Sequence, residues 1–243
     1  MMEKAEIRYP TFPQKIIILV GGFGSGKTEV SVNLAKFLVS DKETPLTIVD
    51  LDLVNPYFRT REAILEMEAL GIRVVAPQGG QTYADLPILL PEVKGAIEHP
   101  QGRLILDVGG DSQGAKSLGS LAAVLDGAGG YEMLAVLNSR RPQTADAAGC
   151  RQTMARIEAT SKLRFTGLVA NSHMIDETDM AVVVEGYELA CQISKETGLP
   201  LAFVSVRNSL LEQIESDGFD CPILPLSRSM LKPWERKENQ AEK

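Results

Sequence analysis

Gly21-Gly22-Phe23-Gly24-Ser25-Gly26-Lys27-Thr28 is the stretch on which the reading of this chain turns. It fits the pattern Gly-x-x-x-x-Gly-Lys-Ser/Thr without a mismatch. Before it stands Lys15-Ile16-Ile17-Ile18-Leu19-Val20, an apolar, β-branched run that predicts a buried strand. After it, Glu29 to Ser40 carries Val30, Leu34, Phe37 and Leu38 at helical spacing. The glycines therefore join a strand to a helix. In that setting they let the backbone curl so that successive N–H groups converge on an anion. The helix N-terminus adds partial positive charge. Gly21, Gly22, Gly24, Ser25 and Gly26 are the expected phosphate cradle. Lys27 is placed to reach the β- and γ-phosphates of a nucleotide, and the Thr28 hydroxyl to ligate Mg²⁺.

The remaining composition suits one large domain. The chain has 243 residues, 44% of them hydrophobic, and a net charge of −7. That acidic balance argues against general binding to nucleic acid or anionic membrane. Cys150, Cys191 and Cys221 are scattered, with no metal-ligand or redox spacing, and read as thiols in a reducing compartment. Residues 1–13 lack the apolar segment of a signal peptide, and no apolar run approaches the ~20 residues that span a bilayer. The expected location is the cytoplasm.

Further along, strands and helices alternate. Strands are expected at Leu46 to Leu51, Ile72 to Val75, Leu104 to Asp107, Met133 to Leu137, Leu163 to Ala170 and Leu201 to Val206, with an extended piece near Pro222 to Leu224. Helices are expected near Thr60 to Leu70, from Asp85 towards Glu98, and over Ala115 to Leu125, Thr144 to Thr160 and Met180 to Thr197, with a short one from Ser209. This alternation predicts an α/β fold: a three-layer, doubly wound, mostly parallel sheet with helices on both faces. The organisation is a lead over 1–14, a nucleotide-binding domain over 15–228 and a tail over 229–243. The tail has mixed charge and no long apolar face.

In parallel sheets, ligands bind off the carboxyl ends of strands. Asp50, Asp52 and Asp107 stand at such ends. Asp107, between Leu104-Ile105-Leu106 and Val108-Gly109-Gly110, suits holding Mg²⁺ through water. The glycines after it suit a loop that senses a γ-phosphate. Asp52 suits a water-orienting or metal-linked carboxylate, or a helix cap. Asp50 fits a site role and a turn role equally.

This order of phosphate loop, strand with Asp-x-Asp, and strand with Asp-x-x-Gly resembles the MinD/ParA/nitrogenase-iron-protein superfamily, of the SIMIBI class of P-loop ATPases. Leu134-Ala135-Val136-Leu137-Asn138 with Arg140 to Asp146, and Leu168-Val169-Ala170-Asn171, extend the likeness over residues 15 to 226. The resemblance implies ATP and Mg²⁺ as cofactors, with Lys27 and Asp52 catalytic, Asp52 orienting the attacking water. It implies Asp107 as the second acidic motif and Asn171 as the adenine reader. It also implies a nucleotide-dependent switch or assembly factor with a protein partner, working as an ATP-dependent homodimer. The sequence departs from the Par and Min members at Gly22, where they carry a signature lysine that reaches across the dimer. Arg59, Arg61, Arg140 and Arg141 are the candidate replacements. Hydrolysis without a partner is therefore expected to be slow. Alternatives on the same fold are a ligase or transferase of the dethiobiotin-synthase or cobyrinate-synthase type and a metal-cluster insertion ATPase. The last is disfavoured by the lack of a paired-cysteine motif. The loop over 55–62 is rich in aromatic residues and arginines, which suits partner contacts.

Overall fold

The computed structural model describes residues 7–40, 44–52, 61–76, 91–214 and 218–229, with the side chains of Arg61 and Glu62 outside that description. Eight strands make one sheet: β1 Ile16–Val20, β2 Leu46–Leu51, β3 Ile72–Val75, β4 Arg103–Val108, β5 Glu132–Leu137, β6 Gly167–Ala170, β7 Leu201–Arg207 and β8 Ile223–Leu226. Their order is β3-β2-β4-β1-β5-β6-β7-β8, and every neighbouring pair is parallel. The helices are α1 Lys27–Val39, α2 Arg61–Ala69, α3 over 91–98, α4 Ser112–Gly119, α5 Ala122–Gly127, α6 Ala147–Ser161 and α7 Met180–Thr197. β1 is therefore central, and the loop leaving it opens at the middle of the carboxyl edge, between β4 and β5.

Side-chain alternation along the strands divides the core in two. Ile16, Ile18 and Val20 of β1 join Leu104, Leu106 and Val108 of β4 in a cluster that also holds α3, α6 and α7 residues such as Val93, Met154 and Ile193. Ile17 and Leu19 join Ile48, Ile105 and Phe203 on the other face, covered by Val30 and Leu34 of α1 and Met67 of α2. Continuous apolar strands are what a sheet covered on both faces requires. The same period-2 rule places the carboxylates. Asp107 follows Ile105 by two residues, so it points to the α1 face. Asp50 follows Ile48 by two on β2, and its register partner on β4 is Asp107.

Local chemistry explains most element ends. Asp111, Asp146 and Asp179 cap α4, α6 and α7 by accepting backbone N–H bonds. Gly198 ends α7 in the left-handed region. The helix expected over Ala115 to Leu125 is two, broken where the Ser120 hydroxyl donates back to the Ser117 carbonyl. The strand expected from Leu163 begins only at Gly167. The N–H groups of Leu163, Arg164 and Phe165 donate instead to the Ser161 hydroxyl, the Tyr131 hydroxyl and the Glu158 carboxylate. The extended piece near Pro222 to Leu224 is a full eighth strand. The expected cap Asp85, residues 53–60 and most of the 229–243 tail lie outside the described residues.

Candidate functional site

The loop from Gly21 to Gly26 ends as the left-handed N-cap of α1, where Gly26 has φ 83°. Two features demand glycine there. A Cβ at Gly26 would meet Asn171 Nδ2 at 2.4 Å and His173 Nε2 at 2.7 Å, and at Gly21 it would meet the Val136 carbonyl oxygen at 2.4 Å. Lys27 and Thr28 open α1 and are buried. Ser25 is buried too, and its hydroxyl completes no hydrogen bond among the described residues.

On the β4 side the site is acidic. Asp52 Oδ2 lies 3.8 Å from Lys27 Nζ. Its carboxylate occupies the space beside Gly109, where a Cβ would touch it at 3.4 Å. Asp107 is fully buried, and neither of its oxygens completes a hydrogen bond among the described residues. The Lys27 ammonium and the Thr28 and Ser31 hydroxyls beside it favour its charge, but burial outweighs them and lifts its pKa to about 6. Such a buried, unpartnered carboxylate next to a helix-start threonine is a donor set suited to a hard divalent cation. Asp50 serves the turn: it accepts the Asp52 N–H at 3.0 Å. Gly110 closes over the loop, its missing Cβ lying 2.8 Å from Phe23 N.

On the β5–β6 side the site is closely hydrogen-bonded. Asn171 Nδ2 donates to the Ser25 carbonyl at 2.8 Å, and Asn171 Oδ1 accepts from the Ser205 hydroxyl at 2.5 Å. Ser25 and Ser205 thus each take one of the bonding positions of the Asn171 amide, and Oδ1 keeps a second lone pair. One N–H remains on the amide. A cavity of about 300 Å³ lies beside it, bounded by Gly26, Glu29, His173, Ile175 and Thr178. His173, between the cavity and Gly26, is held neutral: burial and the Arg141 charge lower its pKa to about 4. The far wall comes from the segment after β8, which α1 binds through Asn33 and Glu29 to the Ser227 and Ser229 backbone. Sequence reading missed His173 and Thr178. Their placement depends on the loop after β6 folding back, for which the sequence offers only the Asn171-Ser172 pair.

The four arginine candidates separate. Arg140 pairs with Glu185 at 2.5 Å, away from the loop. Arg141 Nε donates to the Gly24 carbonyl at 2.7 Å. Arg59 and the Arg61 side chain lie outside the described residues. Cys150 and Cys221 are buried, Cys191 is half-buried, and all three are free thiols. No helix among the described residues is long and apolar enough to cross a membrane.

No family model matches the chain, and no curated protein does. Solved structures do. FtsY from Mycoplasma mycoides superposes with a TM-score of 0.53 at 16% identity, covering 86% of this chain and 64% of that one. The signal recognition particle receptor FtsY from Elizabethkingia anophelis, in complex with GDP, gives 0.51 at 20% identity over 83% and 60%. The signal recognition particle 54 kDa protein from Aeropyrum pernix, also in complex with GDP, gives 0.50 at 19% over 80% and 42%. The fold is that of a P-loop NTPase. These neighbours belong to the SIMIBI class. The chain spans about three fifths of the FtsY chains and about two fifths of the 54 kDa one.

Proposed function

We propose that this protein is a Mg²⁺-dependent ATP-binding ATPase that works as a nucleotide-dependent switch or assembly factor of the MinD/ParA-like type. One observation carries the reading. Buried polar atoms left without a hydrogen bond among the described residues gather around the loop: Ser25 Oγ, both Asp107 oxygens, Asn138 Nδ2 and His173 Nε2. Buried polar groups are nearly always satisfied, so a cluster of orphans marks where a polar ligand belongs.

In this reading the backbone N–H groups of 22–28 and Lys27 hold the β- and γ-phosphates. Thr28 binds Mg²⁺ directly and Asp107 through water, and the ion offsets phosphate charge. Asp52 orients the attacking water. The cavity beside Asn171 takes the base, with the remaining Asn171 N–H as a donor. Gly109 and Gly110 lie between Asp52 and the loop backbone. A change at the γ-phosphate therefore reaches the β4–α4 connection, the element through which a switch would act on a protein partner.

A second reading concerns the base alone. Two of the structural neighbours hold GDP, which favours GTP. The deciding experiment is calorimetry of Mg-ATP and Mg-GTP with the wild-type protein and Lys27→Ala. The expected result is tighter binding of ATP, and a loss of about 100-fold or more in folded Lys27→Ala, one charge-assisted contact being removed. Preference for GTP selects the second reading. Unchanged affinity in Lys27→Ala overturns both.

A further inference from the structure

The turn after β5 is fixed by its own hydrogen bonds. Arg141 N donates to the Asn138 carbonyl, and Thr144 N to the Arg141 carbonyl. The Thr144 hydroxyl closes the turn on the Asn138 carbonyl at 2.7 Å. From this rigid base the Arg141 side chain crosses to the phosphate loop. A Cβ on Gly24 would lie 3.0 Å from Arg141 Nε, 3.3 Å from Cδ and 3.4 Å from Cζ, so the side chain lies against the loop at Gly24. Only Nε is used there, on the Gly24 carbonyl. Among the described residues Arg73, Arg140, Arg151, Arg164 and Arg228 each meet a carboxylate, and Arg141 meets none. Its charge is felt at His173, which flanks Gly26. The guanidinium is thus held at Gly24 of the phosphate loop through Nε, with four N–H donors at its terminal nitrogens.

We propose that Arg141 is a catalytic residue acting within its own chain, its terminal guanidinium nitrogens contacting the phosphoryl group in transfer. This rests on the reading of the site as a nucleoside triphosphatase. In the step concerned, water oxygen bonds to the γ-phosphorus as the bond from phosphorus to the bridging oxygen breaks. The bridging electron pair stays on the diphosphate. One water proton remains on the new phosphate as hydroxyl, and the other passes to a phosphate oxygen. Charge builds on the bridging and γ-oxygens during the step, and a fixed planar cation beside Gly24 offsets it without reorganisation. Because the cation belongs to the same chain, one copy suffices.

The test uses the full chain, with Arg141→Ala, Arg141→Lys and, as control, Arg140→Ala. Single-turnover hydrolysis, Mg-ATP affinity and affinity for ADP with aluminium fluoride are measured for each. Arg141→Ala is expected to lower turnover about 100-fold or more, with Mg-ATP affinity within about 5-fold because the ground state is held by the loop and Lys27. Tight binding of ADP–aluminium fluoride is expected to be lost, and added guanidinium ion to restore part of the rate in Arg141→Ala alone. Lysine lacks the planar fork and should rescue poorly. The wild-type rate per chain should not change on dilution. A loss of Mg-ATP affinity equal to the loss of rate makes Arg141 only a brace on Gly24 and overturns the proposal. So does wild-type binding of ADP–aluminium fluoride by Arg141→Ala. If Lys27→Ala abolishes binding while Arg141→Ala behaves as wild type, this inference fails and the site reading stands. If the wild-type protein binds neither nucleotide, both fail.

Discussion

The two flanks of the phosphate loop are built differently. On the β5–β6 flank, side chains bond to the loop backbone before any ligand arrives: Arg141 to Gly24 and Asn171 to Ser25. Ser139 and Ser172 tie the two strand ends together behind them. On the β4–β2 flank the groups are carboxylates. Asp107 completes no hydrogen bond among the described residues, and Asp52 faces Lys27 at 3.8 Å. One flank is finished as a hydrogen-bonded frame and carries the Arg141 cation, while the other holds buried carboxylates that gain from a cation. The loop's shape is therefore a property of the fold, and its chemistry awaits the ligand. Loss of a neutral hydrogen-bonding group from the frame is read in stability and affinity, whereas loss of a charged group, Asp52 on one flank or Arg141 on the other, is read in the reaction.

The largest effect should come from the charged flank. Asp52→Ala removes the group proposed to orient water and leaves the hydrogen-bonded cradle untouched. Turnover should fall by about 100-fold or more, with Mg-ATP affinity within a few-fold. Single-turnover kinetics beside calorimetry separates the two. A normal rate would move the water-orienting role to another residue and erase the contrast between flanks.

Asn171→Ala probes the finished flank. It strips the Ser25 carbonyl and the Ser205 hydroxyl of a buried partner, at about 2–3 kcal/mol for both. The expected outcome is a lower Tm and about tenfold weaker nucleotide binding, with the turnover of bound nucleotide little changed. Thermal unfolding and nucleotide titration read it. A rate defect without an affinity defect would place Asn171 in the reaction rather than in the frame.

These flanks were unequally legible in the sequence. The phosphate loop, the central strand before it and the aspartates at strand ends could be read because each depends on local pattern: glycine spacing, β-branched runs, and a polar residue ending an apolar run. Met180–Thr197 was read to the residue because an acidic cap and a glycine stop bound it. What escaped was non-local. That Asn171 Oδ1 accepts from Ser205 depends on β7 lying beside β6. That Arg141, and not its neighbour Arg140, reaches the loop depends on a turn closed by Thr144. The break between α4 and α5 and the late start of β6 come from side chains that capture backbone groups, and period counting does not see these.

A smaller effect tests the electrostatics of the two flanks against each other. Asp107 has its pKa raised to about 6, so its contribution to stability is complete below its ordinary value of 3.8 and is lost as pH rises through 6. His173 has its pKa lowered from 6.5 to about 4, so its contribution is complete above 6.5 and is lost as pH falls through 4. Between pH 4 and 6 the two slopes oppose, each worth on the order of 3 kcal/mol at most. In chelator without nucleotide, Asp107→Asn should raise Tm at pH 7.5 and make Tm climb more steeply from pH 4 to 6.5. His173→Gln should instead leave a Tm that falls as pH rises. Parallel profiles for the three proteins would mean that neither group is perturbed as described.

The smallest effect is expected at Gly22, and it sharpens the comparison because its sign differs from that of a neighbouring glycine. Gly110, on the β4 flank, has no room: a Cβ there would sit 2.8–2.9 Å from backbone atoms of Gly21, Gly22 and Phe23. The missing Cβ of Gly22 faces the β5 flank, where the nearest atoms are the Thr144 and Thr153 methyls at 3.7 and 3.9 Å, ordinary contact distances. Gly22 is also absent from the residues with positive φ, so an L side chain fits its backbone. Gly22→Ala should therefore stabilise the protein slightly, by about 0.4–1 kcal/mol, through lost freedom of the unfolded chain. Nucleotide affinity should be unchanged. A drop in Tm would show that the β5 flank is tighter around the loop than these distances allow. A gain in Tm with lost affinity would show instead that the Gly22 backbone must move when phosphate binds, so that the finished flank is less complete without its ligand than its hydrogen bonds imply.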